Sequence, residues 1–165
     1  MATSVDTLLC IQGPTASGKS ALAELMAARL DGEIISADSM QIYRGMDIGT
    51  AKVPPDERRV PYHCIDILDP GQPYSAALFQ RDARAAIDDI RARNKLPIIC
   101  GGTGLYVRAA LDDMDFAPGD ESSTVRQKYE QLAEELGDDG LHALLAQRDA
   151  ESAALIHPHN VRRVV

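Results

Sequence analysis

Several features that mark other protein classes are scarce in this sequence of 165 residues. Tryptophan is absent, aromatic residues make up 4% of the chain, and neither the 12 glycines nor the 9 prolines are in excess. This composition excludes collagen-like and low-complexity chains, and 45% hydrophobic residues suffice for a buried core. No apolar run approaches the roughly 18 residues of a membrane-spanning helix, and no basic leader is recognisable. We therefore expect a soluble globular protein without membrane association.

Positive charge and cysteine are also scarce. Lysine and arginine number 17 against 25 acidic residues, a formal charge of −8, so nucleic acid could be bound only through a local basic patch. Cys10, Cys64 and Cys100 lie in apolar runs without the close spacing of a zinc site, and we interpret each as a buried structural residue. An odd number of buried thiols favours a reducing, cytoplasmic location.

Strand and helix patterns alternate over the first two thirds of the chain. Short apolar runs predict strands at 7–12, 33–36, 63–68 and 96–100, and residues with helical periodicity predict helices at 20–30, 75–93 and after 104. This alternation predicts an α/β fold with a parallel sheet flanked by helices. After a linker-like break at 117–120, only helices are predicted, at 123–136, 141–147, 149–156 and from 161 onward.

The strongest motif is a phosphate-binding loop between the first strand and the first helix. The motif G-x-x-x-x-G-K-[ST] is matched at its four fixed positions by Gly13, Gly18, Lys19 and Ser20, and its variable positions are Pro14, Thr15, Ala16 and Ser17. Glycines allow the backbone to wrap a phosphate, and the following helix offers amide donors and a partial positive charge. Lys19 would contribute a point charge, and the Ser20 hydroxyl would ligate Mg²⁺. The motif predicts a P-loop NTPase-like sheet.

Two further residues are predicted to face the phosphate loop from the ends of neighbouring strands. Asp38 follows the second strand, and this short spacing after the loop is typical of small-molecule kinases, in which an aspartate takes a proton from the acceptor. Thr103 follows the fourth strand in the turn GGTG, where its hydroxyl could orient the acceptor. For both residues an ordinary turn cap remains an alternative interpretation.

Five segments together resemble one family. GPTASGKS, IISADSMQIYRGMDIGTAK, DPGQPYSAALFQRDA, GGTGLY and IHP are similar, in this order, to the tRNA dimethylallyltransferases. The resemblance implies a P-loop catalytic core over residues 1–116 and the beginning of an all-helical tRNA-binding insertion over 117–165. Members of the family are about twice as long, so we expect the chain to be truncated within that insertion.

The resemblance also implies a reaction and a set of site residues. A dimethylallyl group would pass from dimethylallyl diphosphate to N6 of the adenosine next to the anticodon in tRNA, with Mg²⁺ at Ser20 and with Lys19, Asp38 and Thr103 as catalytic residues. The chain would bind the tRNA anticodon stem-loop as a monomer. The implied tRNA contacts are Asp38, Ser39, Met40, Gln41, Thr103, Arg126, Arg162, Arg163, Val164 and Val165.

Two other functions stay open at this point. An ATP-dependent kinase of small molecules or nucleosides would use the same loop and Asp38, and Arg58 with Arg59 would be its only candidate lid. A fragment that binds nucleotide or RNA without turnover would be a non-catalytic alternative. Preference for ATP over a prenyl diphosphate would indicate the first, and donor binding without transfer would indicate the second.

Overall fold

A computed structural model describes residues 7–116 and 124–165, which form two compact units that meet in sequence at Asp115 and Phe116. The predicted linker at 117–120 lies outside the described residues. In the first unit the elements are β1 (Leu9–Gln12), α1 (Lys19–Leu30), β2 (Gly32–Ser36), β3 (Tyr62–His63), α2 (Ala76–Ala92), β4 (Leu96–Gly101) and α3 (Gly104–Leu111). In the second they are α4 (Thr124–Arg148), α5 (Ala150–Leu155) and α6 (Val161–Val164).

The four strands form a parallel sheet in the order β1-β4-β2-β3. Strands β2 and β4 are central, and every residue of both is buried. In the register, Leu9 lies opposite Ile98 on β4, and Ile34 of β2 lies opposite the same residue. The parallel α/β sheet predicted from the alternating pattern is therefore confirmed, and the carboxyl ends of its strands share one edge.

Helices cover both faces of the sheet. On one face, Ala23 and Ala27 of α1 pack against Ile34 and Ile98. On the other face, α2 and α3 pack against Ile35 and Ile99, and Phe79 of α2 stacks on Tyr106 of α3 with ring centroids 4.3 Å apart. The predicted helix 75–93 is confirmed as α2, with the Ser75 hydroxyl accepting a hydrogen bond from the Leu78 backbone N–H.

Two expectations about the first unit are wrong. Cys10 is exposed, whereas Cys64 and Cys100 are buried as predicted, because β1 lies at the edge of the described sheet and has a strand neighbour there on one side only. The strand expected at 63–68 extends only over Tyr62–His63. It ends because Cys64 and Asp66 adopt left-handed backbone conformations, with φ of 56° and 55°. In α1 small alanines, not the leucines, form the buried face.

A buried ionic cluster lies at the amino end of β2. Glu33 is almost fully buried, and its carboxylate accepts hydrogen bonds from the Arg93 guanidinium, one of them at 2.8 Å. His63 Nε2 lies 2.8 Å and Lys95 Nζ 3.3 Å from the same carboxylate. The hydrogen bonds from Arg93 lower the pKa of Glu33 to about 2, although burial acts in the opposite direction. This cluster holds α2, β2 and β3 together.

The second unit is built from helices. The two helices predicted at 123–136 and 141–147 form one element, α4, which breaks at Gly137, where φ is 69° and ψ is 174°. His142 of α4 contacts the backbone carbonyl oxygens of Ala153 and Ile156 through Nε2, at 3.0 and 2.8 Å. Over residues 7–116 and 124–165, no helix has the length and hydrophobicity needed to span a bilayer.

Candidate functional site

The phosphate loop connects β1 to α1 in a conformation that depends on its glycines. Gly18 has φ of 83°, and a Cβ atom at Gly13 would lie 3.1 Å from the Ser17 hydroxyl oxygen. Helix α1 begins at Lys19, within the motif, so its first backbone N–H groups point toward the loop. The Lys19 ammonium donates to the Pro14 carbonyl oxygen at 3.1 Å, across the loop. The loop thus has the donors and the charge that bind a phosphate.

A small cavity lies beside this loop, at the carboxyl ends of β2 and β4. Its wall combines groups from the loop, from both strands and from the segment that follows β2. The lining residues are Lys19, Ser20, Ile34, Ser36, Asp38, Gln41, Val53, Tyr62, Cys100 and Gly101. Burial raises the pKa of the Cys100 thiol to about 11, although the charge of Lys19 acts in the other direction, so this cysteine is neutral at physiological pH.

Asp38 caps a turn and still presents a carboxylate oxygen. Its Oδ1 accepts hydrogen bonds from the backbone N–H groups of Met40 at 2.9 Å and Gln41 at 3.4 Å. The turn cap that the sequence left as an alternative is therefore present. Within residues 7–116 and 124–165, no hydrogen bond occupies Oδ2. One oxygen fixes the turn, and the other remains available to a substrate.

Thr103 is tied to the same turn. Its Oγ1 accepts a hydrogen bond from the backbone N–H of Ser39 at 3.0 Å, and its own N–H donates to the Ala37 carbonyl oxygen at 3.1 Å. The strand ends approach so closely that a Cβ at Gly101 would lie 2.1 Å from that same oxygen of Ala37. Only glycine fits at this position, and the close approach places Thr103 beside the turn that Asp38 caps.

A second, larger cavity of about 470 Å³ adjoins Asp38 and Thr103. It is lined by Pro14, Thr15, Asp38, Met40, Met46, Ile48, Gly49, Thr50, Gly102 and Thr103. Asp38 lines both cavities, so this residue lies between the space beside the phosphate loop and the space beside Thr103. Such an arrangement suits a group transfer between an anionic donor and an acceptor that requires a proton acceptor.

Sequence reasoning did not assign Ser36, Met46, Ile48 or Thr50 to these walls, and it assigned Gln41 only to RNA contact. Ser36 is buried, and its hydroxyl donates to Gln41 Oε1 at 2.9 Å; Gln41 Nε2 in turn donates to the Thr50 carbonyl oxygen at 2.9 Å. Met46 and Ile48 add apolar surface to the larger cavity. All except Ser36 lie in the segment between β2 and β3, where the sequence has no sustained helix or strand period, so no local pattern indicates their contacts.

The predicted RNA-binding residues of the second unit are distributed over two helices. Arg126, in the first turn of α4, donates to Glu130 at 2.9 Å. Arg162 and Arg163 are exposed in α6. Val164 and Val165 line an apolar groove of about 210 Å³ together with α4 side chains. The structure describes each position, and their contact with RNA stays a prediction.

The contacts of Arg58 bear on the kinase alternative. Arg58, the first candidate for a kinase lid, donates to Asp66 at 2.6 Å and to the Val53 carbonyl oxygen at 3.0 Å, so its guanidinium is held inside the 53–66 segment.

Among the described residues, no three His, Cys, Asp or Glu side chains are placed to hold a metal ion. A cation at this site would therefore depend on a bound phosphate for most of its oxygen ligands.

Comparison with known proteins shows the family of this chain. A family model described as IPP transferase matches residues 41–165. The chain belongs to the IPP transferase family. It is 54% identical over 161 residues to a tRNA dimethylallyltransferase of Geobacillus thermodenitrificans, covering 97% of this chain and 51% of that protein. A tRNA dimethylallyltransferase of Kineococcus radiotolerans is 50% identical over 165 residues, with 96% and 51% covered.

Solved structures agree with this family assignment. A eukaryotic dimethylallyltransferase acting on tRNA superposes with a TM-score of 0.80 at 32% identity, covering 95% of this chain and 39% of that one. The tRNA isopentenylpyrophosphate transferase of Bacillus halodurans has a TM-score of 0.65 at 46% identity, with 96% and 53% covered. The predicted P-loop-like α/β fold is confirmed. This IPP transferase family member spans about half the length of the curated relatives it matches.

Proposed function

We propose that this chain carries the catalytic core of an enzyme that transfers a dimethylallyl group from dimethylallyl diphosphate to N6 of the adenosine next to the anticodon in tRNA. The observation that carries the proposal is the position of Asp38, which lines both the cavity beside Lys19 and Ser20 and the cavity beside Thr103. Relatives named tRNA dimethylallyltransferase support the choice of donor and acceptor.

The phosphate loop would bind the diphosphate of the donor. Backbone N–H groups of the loop and of the first turn of α1 donate to its oxygens, and Lys19 exchanges the Pro14 carbonyl for a phosphate oxygen. Mg²⁺ would be held by the hydroxyl of Ser20, a residue that lines the small cavity, and by oxygens of the donor's diphosphate, because hard cations prefer oxygen ligands. When bound, the ion would neutralise charge on the leaving diphosphate.

Asp38 would act on the acceptor in the larger cavity. The N6 nitrogen forms a bond to C1 of the dimethylallyl group while the bond between C1 and the diphosphate oxygen breaks, and diphosphate leaves intact. The proton lost from N6 passes to the free oxygen Oδ2 of Asp38. Thr103 holds the turn that carries Asp38 through its bond to Ser39. The adenine must leave its base stack to enter this cavity.

The helical unit would provide further contacts to the anticodon stem-loop. Arg126, Arg162 and Arg163 are the positive side chains proposed for the RNA backbone, with Val164 and Val165 beside them. A net charge of −8 makes such local positive charge necessary for RNA binding. We place the protein in the cytoplasm and expect it to act as a monomer.

Calorimetric titration of the purified chain tests the donor site first. Dimethylallyl diphosphate and, separately, ATP are titrated in the presence of Mg²⁺, into the wild type, Lys19→Ala and Arg29→Ala. Arg29 is the matched control because it removes one positive charge from the other end of the same helix. We expect binding of the prenyl diphosphate by the wild type and Arg29→Ala, and its loss in Lys19→Ala. Preference for ATP would favour a kinase instead, and binding of neither ligand would contradict a working donor site.

A further inference from the structure

Lys52 is a buried cation near the end of the segment that follows Asp38. Its side chain is 2% exposed. Its Nζ lies 2.7 Å from the carbonyl oxygen of Tyr43 and 2.8 Å from a carboxylate oxygen of each of Asp47 and Asp66. A lysine ammonium has three N–H donors, and these acceptors satisfy all three. Burial lowers the pKa of Lys52, but the hydrogen bonds with both carboxylates outweigh it, so the net pKa is raised and the ammonium stays charged at neutral pH.

The two carboxylates that Lys52 joins differ in how firmly they are held. Asp66 is fixed: its other oxygen accepts a bond of 2.6 Å from Arg58, its backbone N–H donates to the Gln41 carbonyl oxygen, and its φ is 55°. Such a left-handed conformation at a non-glycine residue persists only where the surroundings enforce it. The Asp47 side chain is 64% exposed, and Lys52 is its only hydrogen-bond partner among the described residues.

The turn that begins at Asp47 forms part of the wall of the larger cavity. Ile48, Gly49 and Thr50 line it, and the Ile48 side chain is 100% exposed, so hydrophobic packing does not hold the turn in place. Polar contacts do: the Thr50 hydroxyl donates to the Met46 carbonyl oxygen at 2.8 Å, Gln41 Nε2 donates to the Thr50 carbonyl oxygen at 2.9 Å, and Lys52 secures Asp47. A segment with so few apolar contacts opens easily once such bonds are removed.

We infer that Lys52 is a positioning residue for the group transfer, which holds the 46–50 turn as a wall of the cavity that Asp38 also lines. Lys52 lines neither cavity itself, so it acts through Asp47 and not on the substrate. The inference rests on the proposed function, because the wall matters for turnover only if the acceptor enters this cavity.

The test compares Lys52→Met and Asp47→Asn with the wild-type chain. Lys52→Met keeps the length of the side chain but removes all three hydrogen bonds, and Asp47→Asn weakens only the contact with the turn. We expect transfer to an anticodon stem-loop, as kcat/KM for the RNA, to fall on the order of a hundredfold in Lys52→Met and tenfold in Asp47→Asn. The affinity for dimethylallyl diphosphate should stay within about twofold, because the phosphate loop is unchanged.

Asp69→Asn is the matched control. It removes one charge from an exposed carboxylate that pairs with Arg44 outside both cavities, so its transfer rate and donor affinity should equal those of the wild type. Hydrogen–deuterium exchange gives a readout that does not need turnover. Amides of residues 46–50 should exchange faster in both Lys52→Met and Asp47→Asn, whereas amides of α1 should not.

The outcomes separate the inference from the proposed function. Unchanged transfer in Lys52→Met, or a parallel loss of donor affinity and transfer in Asp47→Asn, would overturn the positioning role. If Lys52→Met does not fold, Asp47→Asn decides, since its side chain is exposed. A wild-type chain that binds the donor but transfers nothing would contradict the proposed function, and the exchange experiment would still decide whether Lys52 holds the turn.

Discussion

The two units of this chain are stabilised in different ways. In the first unit, two clusters of buried side chains cover both faces of the sheet, and polar groups such as Glu33 and Lys52 are buried with complete sets of partners. In the second unit, Leu141 and Ala153 are the only buried residues over 124–165, and ion pairs such as Arg126 with Glu130 are exposed. The first unit therefore fixes side-chain positions that the second leaves adaptable.

This difference separates two kinds of functional residue. A group that transfers a proton must be held in place, and Asp38 is held by a capped turn, by Thr103 and by the close approach of β2 and β4. A residue that contacts an RNA backbone can adjust its side chain on binding, and the long side chain of an arginine on a helix surface allows such an adjustment. We expect substitutions in the first unit to have large effects on single steps of the reaction. Substitutions in the second unit should have small, additive effects on RNA affinity.

Asp38→Asn should have the largest effect of this comparison. Asparagine keeps an oxygen that accepts the N–H groups of Met40 and Gln41, so the turn is preserved while the proton acceptor is lost. Transfer should fall about 10²- to 10⁴-fold with unchanged affinity for dimethylallyl diphosphate. Single-turnover assays with calorimetry measure both. Asp56→Asn, in an exposed turn, is the control. A similar fall in transfer by Asp56→Asn, or a loss of donor affinity in Asp38→Asn, would contradict the role of Asp38 as proton acceptor.

Glu33→Gln tests the buried ionic cluster of the first unit by its pH dependence. The folded-state pKa of Glu33 is about 2, below the ordinary 4.5, so its stabilisation is complete above pH 5 and is lost as the pH falls toward 2. The shift corresponds to roughly 3 kcal/mol at neutral pH. Protection of β2 amides against hydrogen exchange should fall in acid for the wild type and vary much less with pH in Glu33→Gln.

A matched change in the second unit completes that test. Glu130→Gln removes the exposed partner of Arg126 and should lower the stability of α4 by only about 0.3–0.5 kcal/mol. If β2 protection in Glu33→Gln kept the pH dependence of the wild type, another group would be the source of the acid sensitivity. If Glu130→Gln destabilised its unit as much as Glu33→Gln does, the contrast between buried and exposed pairs would be wrong.

Local sequence signals predicted the parts of the site that short segments determine. The phosphate loop needs eight consecutive residues between a strand and a helix, and Asp38 and Thr103 need only their positions after β2 and β4 in a parallel sheet. The topology then brings all three to one edge. The role of Asp38 was predictable only as a choice between a turn cap and a proton acceptor, and the structure shows one carboxylate oxygen in the cap with the other left for a substrate.

Interactions between distant residues were not predictable. An apolar run such as HCIDIL does not reveal that the backbone adopts left-handed conformations at Cys64 and Asp66. The expected strand therefore ends early, and Asp66 accepts a hydrogen bond from Lys52 instead. The exposure of Cys10 depends on which strand lies at the edge, which periodicity does not encode. The sequence gives no sign that Glu33 is more than an ordinary strand residue, because its partners Arg93 and Lys95 lie about 60 positions later in the chain.

Arg126→Ala, a substitution in the second unit, should have the smallest effect on function of the variants compared. If Arg126 neutralises one phosphate, its loss should weaken binding of an anticodon stem-loop about tenfold at most and reduce the dependence of log K on log salt by about one unit, without changing donor affinity. Glu130→Gln removes the carboxylate that holds Arg126 and should tighten RNA binding slightly. Fluorescence anisotropy at several salt concentrations measures both variants. An unchanged affinity and salt dependence in Arg126→Ala would exclude this residue from the RNA interface, because a side chain that contacts a phosphate cannot be removed without altering the number of counterions released.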